Sequence, residues 1–89
     1  MIPYSFHPEA EEEFVEAALY YESRVQELGR RFAAEVHRVI SYLREFPDAG
    51  APVRRSVRRV LVDRFPCAVV YEHRDGAIRI FAVAHVSRH

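Results

Sequence analysis

Thirteen arginines and no lysine carry every fixed positive charge of this 89-residue chain. A guanidinium offers a planar fork of donors that matches carboxylate or phosphate oxygens in pairs. Arg54, Arg55, Arg58, Arg59, Arg64, Arg79 and Arg88 are therefore the candidate partner-binding residues. Acid–base chemistry at a phosphate would need a titrating group beside such arginines. Arg59, Arg88 and His85 are the alternative, catalytic set, with His89 adjacent to Arg88. Against that reading stands cross-strand or surface pairing, since exposed arginine runs are often only solvated. Arg79 has Glu72 as its simplest cross-strand partner. Arg54 to Arg59 have the glutamates of the first helix.

Other reactive side chains point elsewhere. His7, His37 and His73 are too dispersed for a metal cluster, and no metal or cofactor is expected. Cys67 is the only cysteine. It excludes an intrachain disulfide and a cysteine-based zinc site, and in an apolar run it behaves as a small hydrophobe. No apolar run approaches the roughly 20 residues of a membrane span. No basic region followed by an apolar core opens the chain, so a cytoplasmic, membrane-free location is expected.

The zero net charge hides a segregation. Residues 1–23 hold six glutamates and no arginine, whereas residues 24–89 hold all thirteen arginines and seven acids. An acidic helix and a basic sheet or loop region are expected, giving a dipolar protein.

The elements that position these charges follow from periodicity. Ile2, Tyr4 and Phe6 alternate with Pro3 and Ser5, which predicts a short edge strand. Pro8 then opens a helix whose early glutamates complement its positive end, although His7 is a weak capping residue. Ala10, Phe14, Ala17, Ala18, Tyr21 and Val25 form its buried stripe, with Tyr20 off it as a possible contact. A second helix, from about Gln26 to Glu45, buries Leu28, Phe32, Val36, Val39, Ile40, Leu43 and Phe46. Gly29 costs that helix about 1 kcal/mol in propensity, which suggests close approach of the two helices. Phe46-Pro47 stops it, and residues 47–57 read as a loop.

The last third reads as three strands. The Val60–Val62 run is divided from Cys67–Tyr71 by Phe65-Pro66, and Asp75-Gly76 marks a hairpin before Ile78–Ala84. Strict alternation places Ile78, Ile80, Ala82 and Ala84 on one face and Arg79, Phe81, Val83 and His85 on the other. The expected fold is one α+β domain over residues 1–89, ordered β-α-α-β-β-β. Its antiparallel sheet is packed on one face by the helical hairpin.

Arg59, Arg64-Phe65-Pro66, Val69-Val70-Tyr71, Asp75, Ile78, Ile80 and Ala82-Val83-Ala84-His85 together resemble the RelE/ParE superfamily of bacterial type II toxins. The resemblance covers essentially the whole chain and is closer to the ParE branch, the plasmid stabilization proteins. It implies a cognate antitoxin as partner, with a disordered segment that folds as it wraps the toxin, and an oligomeric toxin–antitoxin assembly. The ParE branch implies inhibition of DNA gyrase by protein contact, without enzymatic chemistry. The alternative is the RelE branch, a ribosome-dependent mRNA endonuclease. Against that pattern, Arg59 and Arg88 match two basic positions, whereas two others fall on Leu61 and Ala68. The late tyrosine falls beyond His89. Against the ParE pattern, Cys67 replaces a tyrosine, and the arginine-rich tail is missing or cut off after Arg88-His89. A third reading is therefore a non-toxic member of the family.

Overall fold

A computed structural model describes residues 1–86; Arg88 and His89 lie outside the described residues. The elements run β1 (Tyr4–Phe6), α1 (Pro8–Arg24), α2 (Leu28–Glu45), β2 (Ala51–Arg54), β3 (Val57–Leu61), β4 (Cys67–Arg74) and β5 (Ala77–His85). The five strands form one sheet in the order β1-β5-β4-β3-β2. The α+β order matches the expectation, with one strand added: Ala51–Arg54 pairs antiparallel with β3 rather than forming part of a loop. Its four residues are all exposed and include Pro52, so it has no buried alternation to announce it. The ladder is antiparallel throughout except at β1, which pairs parallel with β5.

His7 caps α1 despite its weak general preference. Its Nδ1 accepts the Glu9 amide at 3.1 Å, and Pro8 occupies the first helical turn. At the other end, the Glu22 carboxylate bridges to the start of α2. It accepts the Glu27 and Gly29 amides at 2.9 and 3.0 Å, and the Glu27 bond foremost holds Glu22 below the ordinary carboxylate value. This replaces a side-chain cap for α2, because Glu27 itself is left-handed at φ 72°.

Gly29 lies where the helices meet. A Cβ there would sit on the Ala18 carbonyl oxygen and 3.0 Å from Glu22 Cβ. Alanine favours a helix by about 1 kcal/mol over glycine. The clash is with backbone, however, and overpacking costs about 1–3 kcal/mol. Gly29→Ala should therefore lower stability by about 1 kcal/mol in urea unfolding. A stabilised variant would show that the hairpin can spread freely.

The core lies between the helical hairpin and one sheet face. Phe32, Val36, Ile40 and Leu43 of α2 meet Val69, Tyr71, Ile78, Ile80 and Val83 of the sheet. Three residues of the expected stripes, Val25, Leu28 and Phe46, fall outside it, with Leu28 half-buried at the start of α2. Val25 and Phe46 follow the last turns of their helices and are exposed, with Phe46 against Tyr42. A stripe continues in sequence past the point where its helix stops.

The register of β5 differs from strict alternation. Ile80 pairs with Tyr71 and Ala82 with Val70, so Phe81 is an extra residue at a bulge. An extra residue turns every later side chain to the opposite face. Val83, not Ala82, therefore joins the core with Ile78 and Ile80. His85 becomes the partner of Cys67 on the helix side.

Candidate functional site

The sheet face away from the helices is built from alternate residues of three strands. Val60 and Tyr71 pack into the core, so their neighbours Arg59, Leu61 and Val70 point the other way. Arg79, between the buried Ile78 and Ile80, projects onto the same open face. Ala82 and Ala84 join it through their pairing with Val70 and Ala68. The result is an apolar strip of Leu61, Val70, Ala82 and Ala84, with Ala68 buried among them, beside two exposed arginines. Leu61, 60% exposed, is the most open apolar side chain of the strip.

Arg58 does not belong to this face. It pairs in register with Tyr71 and donates to the Gly50 carbonyl at 2.9 Å. It thus fastens the loop after α2 to the sheet. Arg54 ends β2, and Arg55 occupies its turn with β3 at φ 49°; both are exposed at one end of the sheet. Arg74 lies at the same end and pairs with Glu72 at 3.7 Å. Arg64 sits at the opposite end, left-handed at φ 70° and 3.9 Å from Asp63.

Arg79 faces Glu72 in register, as expected, but Glu72 pairs instead with Arg74 and with the Ser56 hydroxyl. Among the described residues, Arg54, Arg55, Arg59 and Arg79 form no ion pair. None of the ion pairs there joins an arginine to an α1 glutamate. The basic sheet surface is therefore not neutralised by the acidic helix of its own chain.

Of the alternative catalytic set, the two described members, Arg59 and His85, lie on opposite sides of the sheet. Arg59 is on the open face. The bulge at Phe81 carries His85 to the helix side, where it lines a cleft of about 400 Å³ with Glu13, Glu16, Tyr20, Tyr21 and Cys67. Arg88 lies outside the described residues. Leu61 and Ala68, at the two expected basic positions, pair directly beside the open-face arginine.

A polar latch that sequence reading missed supports the site from beneath. The fully buried Tyr71 hydroxyl accepts the Gly50 amide at 3.0 Å and donates to the Pro47 carbonyl at 2.7 Å. Gly50 is required there, because a Cβ would lie 2.7 Å from the Tyr71 ring. Burial pushes the Tyr71 phenol above its ordinary value and does the same to the Cys67 thiol. A raised thiol value argues against Cys67 as a nucleophile. Tyr71 within a Val-Val-Tyr run carries a strand signal but no sign of its hydroxyl's role, which depends on contacts 21 and 24 residues away.

No curated protein sequence matches the chain at a significant level. A solved structure described as the chromosomal ParDE TA system from P. aeruginosa superposes with a TM-score of 0.84 over 98% of each chain, at 15% identity. That likeness concerns the fold. The family model for the ParE toxin of the parDE type II toxin–antitoxin system matches residues 4–89. With the fold and nearly the whole sequence in agreement, this chain belongs to the ParE toxin family of type II toxin–antitoxin systems.

Proposed function

We propose that this chain acts by protein contact rather than by cutting RNA, with DNA gyrase as its target and a cognate antitoxin as its inhibitor. The observation that carries this reading is the Leu61–Ala68 pair beside Arg59. Phosphodiester cleavage needs charge on the phosphoryl oxygens and acid–base groups at both ends of the broken bond. The open face offers apolar side chains where those groups would be needed, and His85 projects from the other side of the sheet. An arginine-flanked apolar strip instead suits a protein segment with acidic and aliphatic residues.

The antitoxin is the partner assigned to that strip, with Arg54 and Arg55 at its end and Arg64 and Arg88 as further basic contacts. An antitoxin segment that orders as it binds gains contact area along such a surface and loses chain entropy in the process. The double variant Arg59→Glu, Arg79→Glu should weaken antitoxin binding about 10- to 100-fold, most strongly at low salt. Isothermal titration at two ionic strengths measures this. Unchanged affinity at low salt would remove the sheet face from the interface. Arg58 is unsuitable for this experiment, because its bond to Gly50 is structural.

The target is tested separately. Incubation of the purified chain with gyrase and plasmid should give gyrase-dependent DNA breaks. Programmed ribosomes should show no codon-specific mRNA cuts. Ribosomal cuts lost in Arg59→Ala would favour the endonuclease reading instead.

A further inference from the structure

The first helix, α1, has two unlike sides. Its buried stripe of Ala10, Phe14, Ala17, Ala18 and Tyr21 packs into the core. The opposite side presents Glu9, Glu12, Val15, Glu16 and Leu19, all exposed, at three- and four-residue spacing. Val15 is 49% and Leu19 65% exposed, so two aliphatic side chains stand among the carboxylates. Among the described residues, none of Glu9, Glu12 and Glu16 is ion-paired.

The cleft of about 400 Å³ opens beside this side, between α1 and the end of β5. Glu13, Glu16 and Tyr20 form its helix wall, and Cys67, Val83 and His85 its sheet wall. The Glu13 carboxylate accepts the Val83 amide at 2.9 Å and ties the two walls together. Among the described residues no arginine lines this cleft. Its walls offer carboxylate oxygens, a phenol ring and apolar carbon. Those groups suit an arginine or lysine side chain from a partner, with the charged head at the carboxylates and the stem along the ring.

The sign of the charge sorts the partners. An acidic segment that suits the arginines of the open sheet face is repelled by α1. An enzyme that holds DNA presents lysine and arginine along the duplex path, and such a surface is repelled by the basic sheet. The two ends of this dipolar chain therefore suit two partners of opposite sign. We infer that the α1 face docks on a basic surface of DNA gyrase, with Val15 and Leu19 at the centre of the contact, Glu9, Glu12 and Glu16 around them, and a gyrase arginine or lysine in the cleft. Apolar side chains within a charged rim are the common build of a protein interface. The carboxylates speed the encounter and set its orientation, and the aliphatic pair supplies the burial. This docking rests on the gyrase reading above, whose surface it names, and it uses none of the residues assigned to the antitoxin.

Biolayer interferometry with intact gyrase and the whole chain tests the face, read at about 50 mM and about 300 mM salt. The charge-reversed variant Glu12→Arg, Glu16→Arg should bind about 10- to 100-fold more weakly at low salt, and lose less at high salt. Glu12→Gln, Glu16→Gln removes the charge alone and should show a smaller loss with the same salt dependence. Leu19→Ser should bind about 10-fold more weakly at both, because burial is not screened. All three positions are exposed, and an unchanged circular dichroism spectrum checks that the fold is kept. Glu45→Arg reverses an exposed charge at the end of α2, outside this face, and should stay within about three-fold of wild type. Gyrase-dependent DNA breaks should fall in the same order as the affinities. A wild type that binds gyrase no better than the charge-reversed variant would overturn the docking and leave the gyrase reading intact. Equal losses in Glu45→Arg would overturn it too, since net charge rather than this face would then be read. Antitoxin affinity lost in the charge-reversed variant, with gyrase affinity kept, would assign α1 to the antitoxin and overturn it. A wild type that does not bind gyrase would overturn both.

Discussion

Phe32→Ala should lower the stability of the chain steeply. Phe32 is fully buried at the centre of an aromatic group, with ring centroids 5.9 Å from Phe14, 5.1 Å from Tyr21 and 5.2 Å from Phe65. Truncating a buried phenylalanine costs about 3–5 kcal/mol, from lost transfer energy and the cavity left behind. A domain of this length has about 4–13 kcal/mol of stability in total. The loss therefore takes from about a quarter of it to all of it. The site is poorly placed to collapse, because its neighbours come from α1, α2 and the β3–β4 loop, each held by other contacts. Urea unfolding should show the midpoint fall steeply with little change in slope. A loss below about 1.5 kcal/mol would mean that the surrounding rings close over the cavity.

Tyr71→Phe should cost about 2 kcal/mol although it removes a single oxygen. The ring remains in place, so the apolar burial is kept. What is lost is the acceptor for the buried Gly50 amide and the donor to the Pro47 carbonyl. Buried polar groups left without partners cost about 1–3 kcal/mol, more than the net value of an ordinary hydrogen bond. In thermal unfolding this is a fall of about 10 °C. A shift under about 3 °C would mean that water replaces the hydroxyl.

The same substitution predicts a pH effect. The Tyr71 phenol is raised above its ordinary value of 10.0, chiefly by burial, with the Gly50 amide acting in the opposite direction. A raised acid is neutral in the folded state where the unfolded chain has already ionised. Its contribution is full below pH 10 and is lost as pH rises from there through the folded value. Tyr71→Phe should therefore flatten the alkaline fall of stability above pH 10. Tyr21 and Cys67, raised for the same reason, keep part of that fall.

The latch also links stability to the binding face. Gly50 is tied to Tyr71 on one side and to Arg58 on the other, and Arg58 is the neighbour of Arg59 in β3. The core-facing residues of β3 fix where its open-face residues point. This explains why two adjacent arginines, equivalent in sequence, have different roles. Arg58 fastens a loop, and Arg59 is presented to solvent.

Much of the architecture is legible in the order of residues alone. The stripes of α1 and α2, the Phe46-Pro47 stop and the Asp75-Gly76 hairpin are local signals, each depending on residues within a few positions. Gly29 is legible as a helix–helix contact because glycine within a helix needs a packing reason. The segregation of acids and arginines is likewise visible by position. The capping by His7 is not, because it rests on one side-chain rotamer. The strand Ala51–Arg54 is hidden because an exposed edge strand containing proline lacks both alternation and strong β propensity. It forms because β3 offers it a ladder.

The sequence by itself determined that two amphipathic helices cover one face of an α+β sheet, and that six glutamates gather in residues 1–23 while all the arginines follow them. Local periodicity and covalent constraints suffice for that. Only the tertiary structure decided which arginines share a surface. A side chain's face in a sheet depends on parity along the strand, and one extra residue at Phe81 reverses it for all that follows. That single bulge brings Val83 into the core, turns Ala82 and Ala84 outward beside Arg59, and sends His85 to the opposite side.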